Sequence, residues 1–501
     1  MKKKVYLFTA CLFSLFIVLF YLSGCSAGGQ IKKVSKDLSN YKINVDIDED
    51  NMQLFCSQDV NVVNNNLVPL GEVCFNLYAS AFSEDAVILP YTAGNSGKVF
   101  PNGISYGDIV ITNLKVNDKT SVYSICGEDN NALKIPLETT VEPKESVLVH
   151  IDYVVTLPEC THRLGFFGGS INLGNFFPIL AIYKEGDFKV APYYSTGDPF
   201  FSDIANFEVE VNYPKSYNLA STGQCVKSVA SDDKKTDIYK ALAVRDFAMF
   251  LTQNAQIETK ISEKTQITYV GYEKDENIKQ CLDTAVKAVT FFNKTFGKYP
   301  YATLTIVKAP FVHGGMEYPN LVIISDSITE PFDIAKVIVH EVAHQWWYGL
   351  VGNNEVTEAW LDESLAEYST LLFFEAHPEY QMAYDELVNQ ATAMYTLYAD
   401  IVNVVEGNIK TSMLLPVNEY NSEYEYSYMV YVKGIIMFDS LRSVIGAKKL
   451  NSCFKKYFST YKFKIATTDD LIESFRKTAG RDIEGFFDSW LSGKTIVGEI
   501  R

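Results

Sequence analysis

Histidine is scarce in this chain, with six in 501 residues. An even set of cysteines outside the amino-terminal segment, net positive charge and low-complexity sequence are lacking too, and each shortage removes a class of protein. Nine cysteines are present, but Cys11 and Cys25 fall in the amino-terminal apolar segment. The remainder (Cys56, Cys74, Cys126, Cys160, Cys225, Cys281 and Cys453) is odd in number. At least one thiol stays free or pairs outside the chain, and the spacings match neither a disulfide scaffold nor a cysteine-based zinc site. Buried structural thiols are the expectation for most of them. Lysine and arginine together count 44 against 61 acids, a formal charge of −17. A polyanion would be repelled by that average field, which excludes nucleic acid as a partner. No internal repeat and no low-complexity linker interrupts the chain. The acidity reads as a solubility device.

What is present is ample core material. Hydrophobic residues make up 47% and aromatics 14% of a chain several times the usual domain length, so two or three domains are expected. Residues 1–24 carry Lys2, Lys3 and Lys4 and no acid, so their removal would take the charge to −17 − 3 = −20. The lysines precede an apolar run from Val5 to Tyr21 that ends in Leu22-Ser23-Gly24-Cys25. That tetrapeptide resembles a bacterial lipobox. The resemblance implies cleavage before Cys25, diacylation of its thiol, and a tether over residues 25–40. An ordinary secretory signal and an uncleaved anchor helix are the competing readings. All three put the globular part outside the cytoplasm, and the terminal cysteine favours a lipid-anchored protein on the extracytoplasmic face of the cell membrane.

Residues 41–260 are short, alternating and β-rich, as in Phe207-Glu208-Val209-Glu210-Val211-Asn212-Tyr213, which predicts an antiparallel β-sandwich or saddle. Within it, Asn172 to Asp198 is rich in glycine, proline and aromatics, a pattern of packing at a domain face that could also line a cleft. Residues 261–501 change period. A helix is expected over 278–296, strands over 303–307 and 321–324, then helices over 332–348, 361–376, 378–397, 429–444, 468–479 and 483–491. Thr468, followed by Asp469 and Asp470, is the expected cap of the 468–479 helix. The fold class is α+β and multidomain, a β-rich half followed by a mainly helical one with a small sheet.

The chemistry concentrates in His340-Glu341-Val342-Ala343-His344, followed eighteen residues later by Glu363. On a helix, positions i and i+4 share a face, so both imidazoles can grip one ion while Glu341 addresses its open position. A shuffled chain with this few histidines yields His-Glu-x-x-His on the order of once in a few hundred sequences. Two imidazoles, one carboxylate and an open position fit one hydrolytic zinc ion. A facial triad for iron has no need of Glu341, which can take a proton from the attacking water and return it to the leaving amine. Trp346, Trp347 and Trp360 read as core, and His313 as a hydrogen-bonded structural residue. Glu367, one turn beyond Glu363, reads as solvated, with a supporting contact to His340 or His344 as the alternative.

Upstream lies Gly314-Gly315-Met316-Glu317-Tyr318, and downstream Tyr431-Val432-Lys433-Gly434. By themselves the first is a glycine turn into a strand and the second one tyrosine among 32. With the histidine motif they resemble the gluzincin aminopeptidases of peptidase family M1. The resemblance implies a thermolysin-like catalytic domain, a bound zinc, and hydrolysis next to a free amino terminus. It further implies that Glu317 binds the α-amino group, that the backbone of Gly314 and Gly315 meets the peptide, and that Tyr431 stabilises the oxyanion, Tyr428 being the fallback. Tyr318 stands where the family has Asn. Many members carry further domains after the catalytic one, while this sequence stops ten residues after Leu491, so a more open cleft is expected. The expected activity is that of an aminopeptidase acting on peptides with a free amino terminus. An endopeptidase of the same clan and a non-catalytic, zinc-containing peptide-binding lipoprotein are the alternatives. Oligomeric state and side-chain preference are not legible.

Overall fold

The computed structural model describes residues 27–407, 409–495 and 497. Cys25 and the segment 1–24 lie outside them. Among the described residues no helix is long and apolar enough to cross a membrane, and all seven cysteines after Cys25 are free, five of them buried.

Alternation builds the first half. Asn40–Asp48 buries Tyr41, Ile43, Val45 and Ile47 and turns the residues between them outward, the two-residue period of a pleat with one face on a core. Eight strands join in the order Gln224–Ala230, Lys234–Val244, Ala205–Pro214, Asn40–Asp48, Gln53–Val63, Ser146–Thr156, Asp108–Val116 and Lys119–Thr120. The antiparallel expectation holds with one exception. Asn40–Asp48 runs parallel to Ala205–Pro214, Tyr41 opposite Phe207, which the long intervening chain permits as a crossover. Those two rings stack 4.7 Å apart at the centre of the buried face. Two four-stranded sheets lie below, one ordered Tyr217–Ser221, Met249–Gln253, Ser170–Leu173, Leu164–Phe167.

The seam expected between residues 260 and 261 falls inside the strand Ala255–Ser262, whose ladder runs with Thr265–Tyr272. The sheet containing that ladder has Thr265–Tyr272, Thr303–Ala309 and Leu321–Ser325 in parallel, and the short antiparallel strand Gly315–Met316 at its edge. Leu321–Ser325 is buried throughout, as a parallel strand covered by helices must be.

The helices that follow begin and end where local chemistry requires. Pro331–Ala343 starts on Pro331, whose missing N–H costs nothing in the first turn. It stops five residues short of the expected Tyr348, because the chain reverses there: Gly349 N donates to His344 O, Val351 N to Trp346 O, and Tyr348 adopts φ 113°. The helix expected from Pro378 begins at Tyr384, after a 3₁₀ turn at Pro378–Tyr380 and a left-handed Gln381, and runs to Glu406 before Gly407 turns it off. Thr467, rather than Thr468, caps Thr468–Ala479, because the Thr467 hydroxyl and the Asp470 carboxylate exchange hydrogen bonds with each other's backbone N–H. Trp346, Trp347 and Trp360 are fully buried, with Trp347 edge-on to Phe296 and stacked near Tyr457.

Candidate metal centre

Two helices place the donor atoms. Pro331–Ala343 carries His340 in its last turn and His344 as its cap. Trp360–Ala376 packs against it and carries Glu363 in its first turn. His340 Nε2 and His344 Nε2 face each other at 3.0 Å, and each lies 3.3 Å from Glu363 Oε2. That oxygen is buried and accepts no hydrogen bond. Ligands bound at roughly 2.0–2.1 Å in a tetrahedron stand about 3.3 Å apart, so this donor set fits zinc. The other ring nitrogens are engaged: His344 Nδ1 lies 3.0 Å from Trp347 O, and His340 Nδ1 lies 3.3 Å from Glu367 Oε1. Those contacts leave both Nε2 atoms for the ion. Glu367 is thus mostly buried behind His340, with Lys336 Nζ 3.9 Å from its second oxygen, instead of solvated. Glu317, His344 and Asp362 form a second possible group. Since His344 has one nitrogen to offer, the two groups exclude each other, and the pair of imidazoles favours the first.

The surrounding field is strongly negative. Burial works against a charged His340, yet Glu363 and Glu367 lift it to about 10. Burial also opposes the Glu363 charge, but His344 and His340 hold this carboxyl far below the usual range. Burial pushes the Glu341 carboxyl up to about 7 while both imidazoles pull it down. A site with this balance attracts a divalent cation.

Glu341 points at the edge strand. A Cβ on Gly315 would come 2.1 Å from Glu341 Oε1, so only glycine lets the carboxylate and that strand meet. Gly314 turns the chain in, its carbonyl accepting from Ser325 N at 3.0 Å. Glu317 follows, 4% exposed, with Oε1 unpartnered. Burial, then Asp198, raises its carboxyl well above the ordinary value. Tyr318 has its own accommodation. A Cβ at Gly174 would lie 1.9 Å from the Tyr318 hydroxyl, which passes over that glycine and donates to Asn175 Oδ1 at 3.2 Å.

Tyr431 donates its hydroxyl to Glu363 Oε1 and lies nearly parallel to His340, ring centroids 5.9 Å apart. Tyr428 instead stacks on Tyr398 at 4.3 Å. Both tyrosines belong to a π-helical turn, Tyr428–Val432, that continues as the helix Lys433–Ile445. Ser364 Oγ donates to Val430 O, clamping the turn to the Glu363 helix. His313 Nε2 lies 3.3 Å from His162 Nε2, away from the donor atoms.

The structure adds residues that sequence reasoning did not single out. Asp198, from the segment read as face packing, is ion-paired to the buried Arg163 and is felt by Glu317, Glu341 and Glu363. Asp362 stands next to Glu317 and His344, and its neighbour in the sequence, Glu363, is the only signal that could have found it. Glu355, in the four-residue helix Glu355–Glu358, carries no motif.

Known proteins resemble the chain in sequence and in fold. The profile of the Peptidase family M1 domain matches residues 280–490. Aminopeptidase M1-B of Oryza sativa subsp. japonica is 24% identical over 303 residues, 57% of this chain and 34% of that protein. Aminopeptidase N of Lactobacillus helveticus is 28% identical over 258 residues, 49% of this chain and 30% of that protein. The matched part thus spans about a third of these relatives. Among solved structures, the M1 zinc metallopeptidase of Deinococcus radiodurans superposes with a TM-score of 0.64 at 16% identity, covering 92% of this chain and 95% of that one. A mutant of the Deinococcus protein bound to a Tyr-Ser-Ala substrate gives a TM-score of 0.65.

Proposed function

We propose that this chain, whose residues 280–490 match the profile of the Peptidase family M1 domain, is a member of that family and a zinc aminopeptidase that removes residues one at a time from the amino ends of peptides. The observation that carries this reading is Glu317: a buried carboxyl whose Oε1 has no hydrogen-bond partner, with an oxygen within 4.8 Å of donor atoms on His344 and Asp362. An unpaired buried carboxylate is costly to keep. A peptide's α-ammonium relieves that cost, and an internal stretch of peptide offers no such charge.

From that anchor the remaining roles follow by position. Glu317 holds the ammonium, so the first peptide bond falls a fixed distance away, over His340 and His344. The edge strand Gly315–Met316 offers its backbone to the extended peptide, as free sheet edges do. His340, His344 and Glu363 would hold zinc, which when bound would supply Lewis acidity and lower the pKa of water. Glu341 takes the proton from the attacking water and returns it to the leaving amine. Tyr431 turns its hydroxyl from Glu363 to the oxygen that gains charge. Asp198, fixed by Arg163, keeps the field around the ammonium negative.

The location is part of the proposal. Leu22-Ser23-Gly24-Cys25 supports a lipid anchor on Cys25 that holds the enzyme at the extracytoplasmic face of the cell membrane. Metabolic labelling with a fatty acid tests this, since Cys25→Ala must abolish the label. For the activity, the decisive pair is a free-amine peptide and its N-acetylated twin, incubated with zinc-loaded enzyme with and without chelator. Cleavage of the free peptide alone is expected, lost with chelator and lost in Glu341→Gln at unchanged zinc content. Equal cleavage of both peptides would point to an endopeptidase.

A further inference from the structure

Against 61 acids and 44 bases in the chain, one helix face reverses the sign. Ala447–Tyr461 carries Lys448, Lys449, Lys455 and Lys456 and no acid. The four lysines are exposed, while Leu450, Cys453, Phe454, Tyr457 and Phe458 are buried. At ~3.6 residues per turn the lysines fall within an arc of ~120°, opposite the apolar stripe. None of the four forms an ion pair among the described residues. The apolar side packs on Trp347, with Tyr457 stacked and Phe458 edge-on to it, so the lysines point away from Trp347, three residues beyond His344.

The basic face continues onto its neighbours. A cavity of about 610 Å³ lies between this helix and the helix Ile278–Thr295, lined by Lys287, Lys294 and Lys455 together with the hydroxyls of Thr290 and Ser452. Glu379 is already engaged there, 3.0 Å from Lys287 Nζ and 3.1 Å from His377 Nδ1. Lys294 and Lys455 have no ion-pair partner among the described residues. At the far end, Lys462 Nζ donates to Gln30 Oε1 at 2.8 Å. Gln30 belongs to the helix Ala27–Val34, whose last turn carries the exposed Lys32 and Lys33. The helix packed alongside, Thr468–Ala479, is nearly balanced: Glu473 pairs with Arg476 and Lys477, Asp470 accepts from Thr467 N, and Asp469 is its remaining acid.

We infer that the lysine face of Ala447–Tyr461, with the cavity between Lys294 and Lys455, docks on the phosphate headgroups of an anionic lipid surface and so gives the anchored enzyme one fixed orientation on the membrane. Position and charge both argue for that occupant. Cys25, the proposed lipid site, precedes Gln30 by five residues, which reach at most ~18 Å, so a lipid there brings the membrane to the Lys462 end of the face. From Lys462 to Lys448 the cations extend over ~20 Å of helix. A lipid chain fixes only the distance to the membrane, whereas cations spread along a helix fix direction. Each lysine near an anionic surface raises partition about fivefold, while the net negative charge of the molecule turns its other faces away. The inference rests on the lipid-anchor reading and adds to it which face meets the lipid.

The test uses the zinc-loaded chain from residue 25 onward with Cys25→Ser, so that no lipid holds it. It is sedimented with vesicles of phosphatidylcholine alone or mixed with phosphatidylglycerol, in about 50 mM salt. Binding to the mixed vesicles is expected, with little to phosphatidylcholine, and it should fall steeply as salt is raised. Changing Lys448, Lys455 and Lys456 together to Gln is expected to weaken binding about a hundredfold with tripeptide hydrolysis unchanged. Should that variant misfold, Lys455→Gln alone is expected to weaken it about fivefold. The same triple change at Lys184, Lys215 and Lys227, in the β-rich half, is expected to leave binding as it was. Equal binding to both vesicles, folded variants that bind like wild type, or an equal loss in the β-rich control would overturn the docking face. Release by inorganic phosphate at constant ionic strength would overturn it too, as the mark of a site for a soluble anion. The fatty-acid label on Cys25 and the hydrolysis of peptides are read separately, so failure of the face is told apart from failure of the anchor or of the aminopeptidase.

Discussion

At the scale of single residues, the centre works by placing charges where water cannot screen them. Glu363 serves two partners: Oε2 faces both imidazoles and Oε1 accepts from Tyr431. Tyr431 is therefore held beside the metal donors through Glu363, ready to donate elsewhere. Replacing it by phenylalanine should leave zinc content unchanged and lower kcat by ~10²–10³, the usual effect of losing one donor to an oxyanion. Single-turnover kinetics on a tripeptide would check it, and an unchanged rate would remove Tyr431 from the chemistry. The histidine pair was legible in the sequence because helical spacing alone puts i and i+4 on one face, and Glu363 because of its spacing after that pair. Glu355 was not, since nothing in its neighbourhood along the chain says that it will be buried without a partner.

At the scale of elements, function depends on how closely the helices approach. A Cβ on Gly434 would sit 2.3 Å from Ser364 Oγ, so this glycine lets the Tyr431 helix lie directly on the Glu363 helix. Gly434→Ala should destabilise the protein by ~1–3 kcal/mol, as overpacking does. It should also lower kcat by moving the π turn, with zinc affinity retained, measured by denaturant titration beside activity. The sequence showed this glycine only as part of a resemblance, whereas its steric reason needs both helices. A strand supplies a second case. His150, on Ser146–Thr156, has Asp59 Oδ1 2.7 Å from Nδ1 and Asp152 Oδ1 3.2 Å from Nε2. Burial lowers its pKa, but the two aspartates outweigh it and the net shift is upward. A raised folded pKa means that the folded chain holds the proton more tightly. The stabilisation is then complete below the ordinary histidine value of ~6.5 and fades as pH rises through the folded one. Wild type should lose stability relative to His150→Gln as the pH goes from 6 to 8, in about 50 mM salt where surface charges are weakly screened. Parallel urea curves with no pH trend in the difference would refute this.

At the scale of the molecule, the two halves are joined through buried polar ties as much as through apolar packing. Arg245, 1% exposed, leaves the β-rich half to donate to Tyr348 O at 3.0 Å and Lys464 O at 3.2 Å, and turns back to Ser202 O at 2.7 Å. Thr222 Oγ1 donates to Pro319 O at 2.8 Å, and Val312 N to Thr161 O at 2.7 Å, on either side in sequence of Gly315–Met316 and Glu317. Arg245→Leu strands three carbonyls and should cost about 3 kcal/mol or more. Calorimetry is expected to resolve separate transitions for the two halves, and a single unchanged transition would argue against the tie. The β-rich half thereby acts as one wall of the site, delivering Asp198 and Arg163 to Glu317 from more than a hundred residues away in the chain.

Local periodicity determined a great deal. Alternating burial is a property of neighbours along one strand, and a zinc-gripping helix is a property of five consecutive residues, so both could be read before any folding. Glu317 and Tyr431 were reached through their motifs, which record spacing along the chain and not contact. The parallel pairing of Asn40–Asp48 with Ala205–Pro214, the early end of the histidine helix at Ala343 and the acids gathered beyond Glu317 were decided only in three dimensions. Strand neighbours, helix stops and unpaired charges depend on which distant segments arrive beside them, and desolvation acts on a carboxylate only once those segments have closed around it.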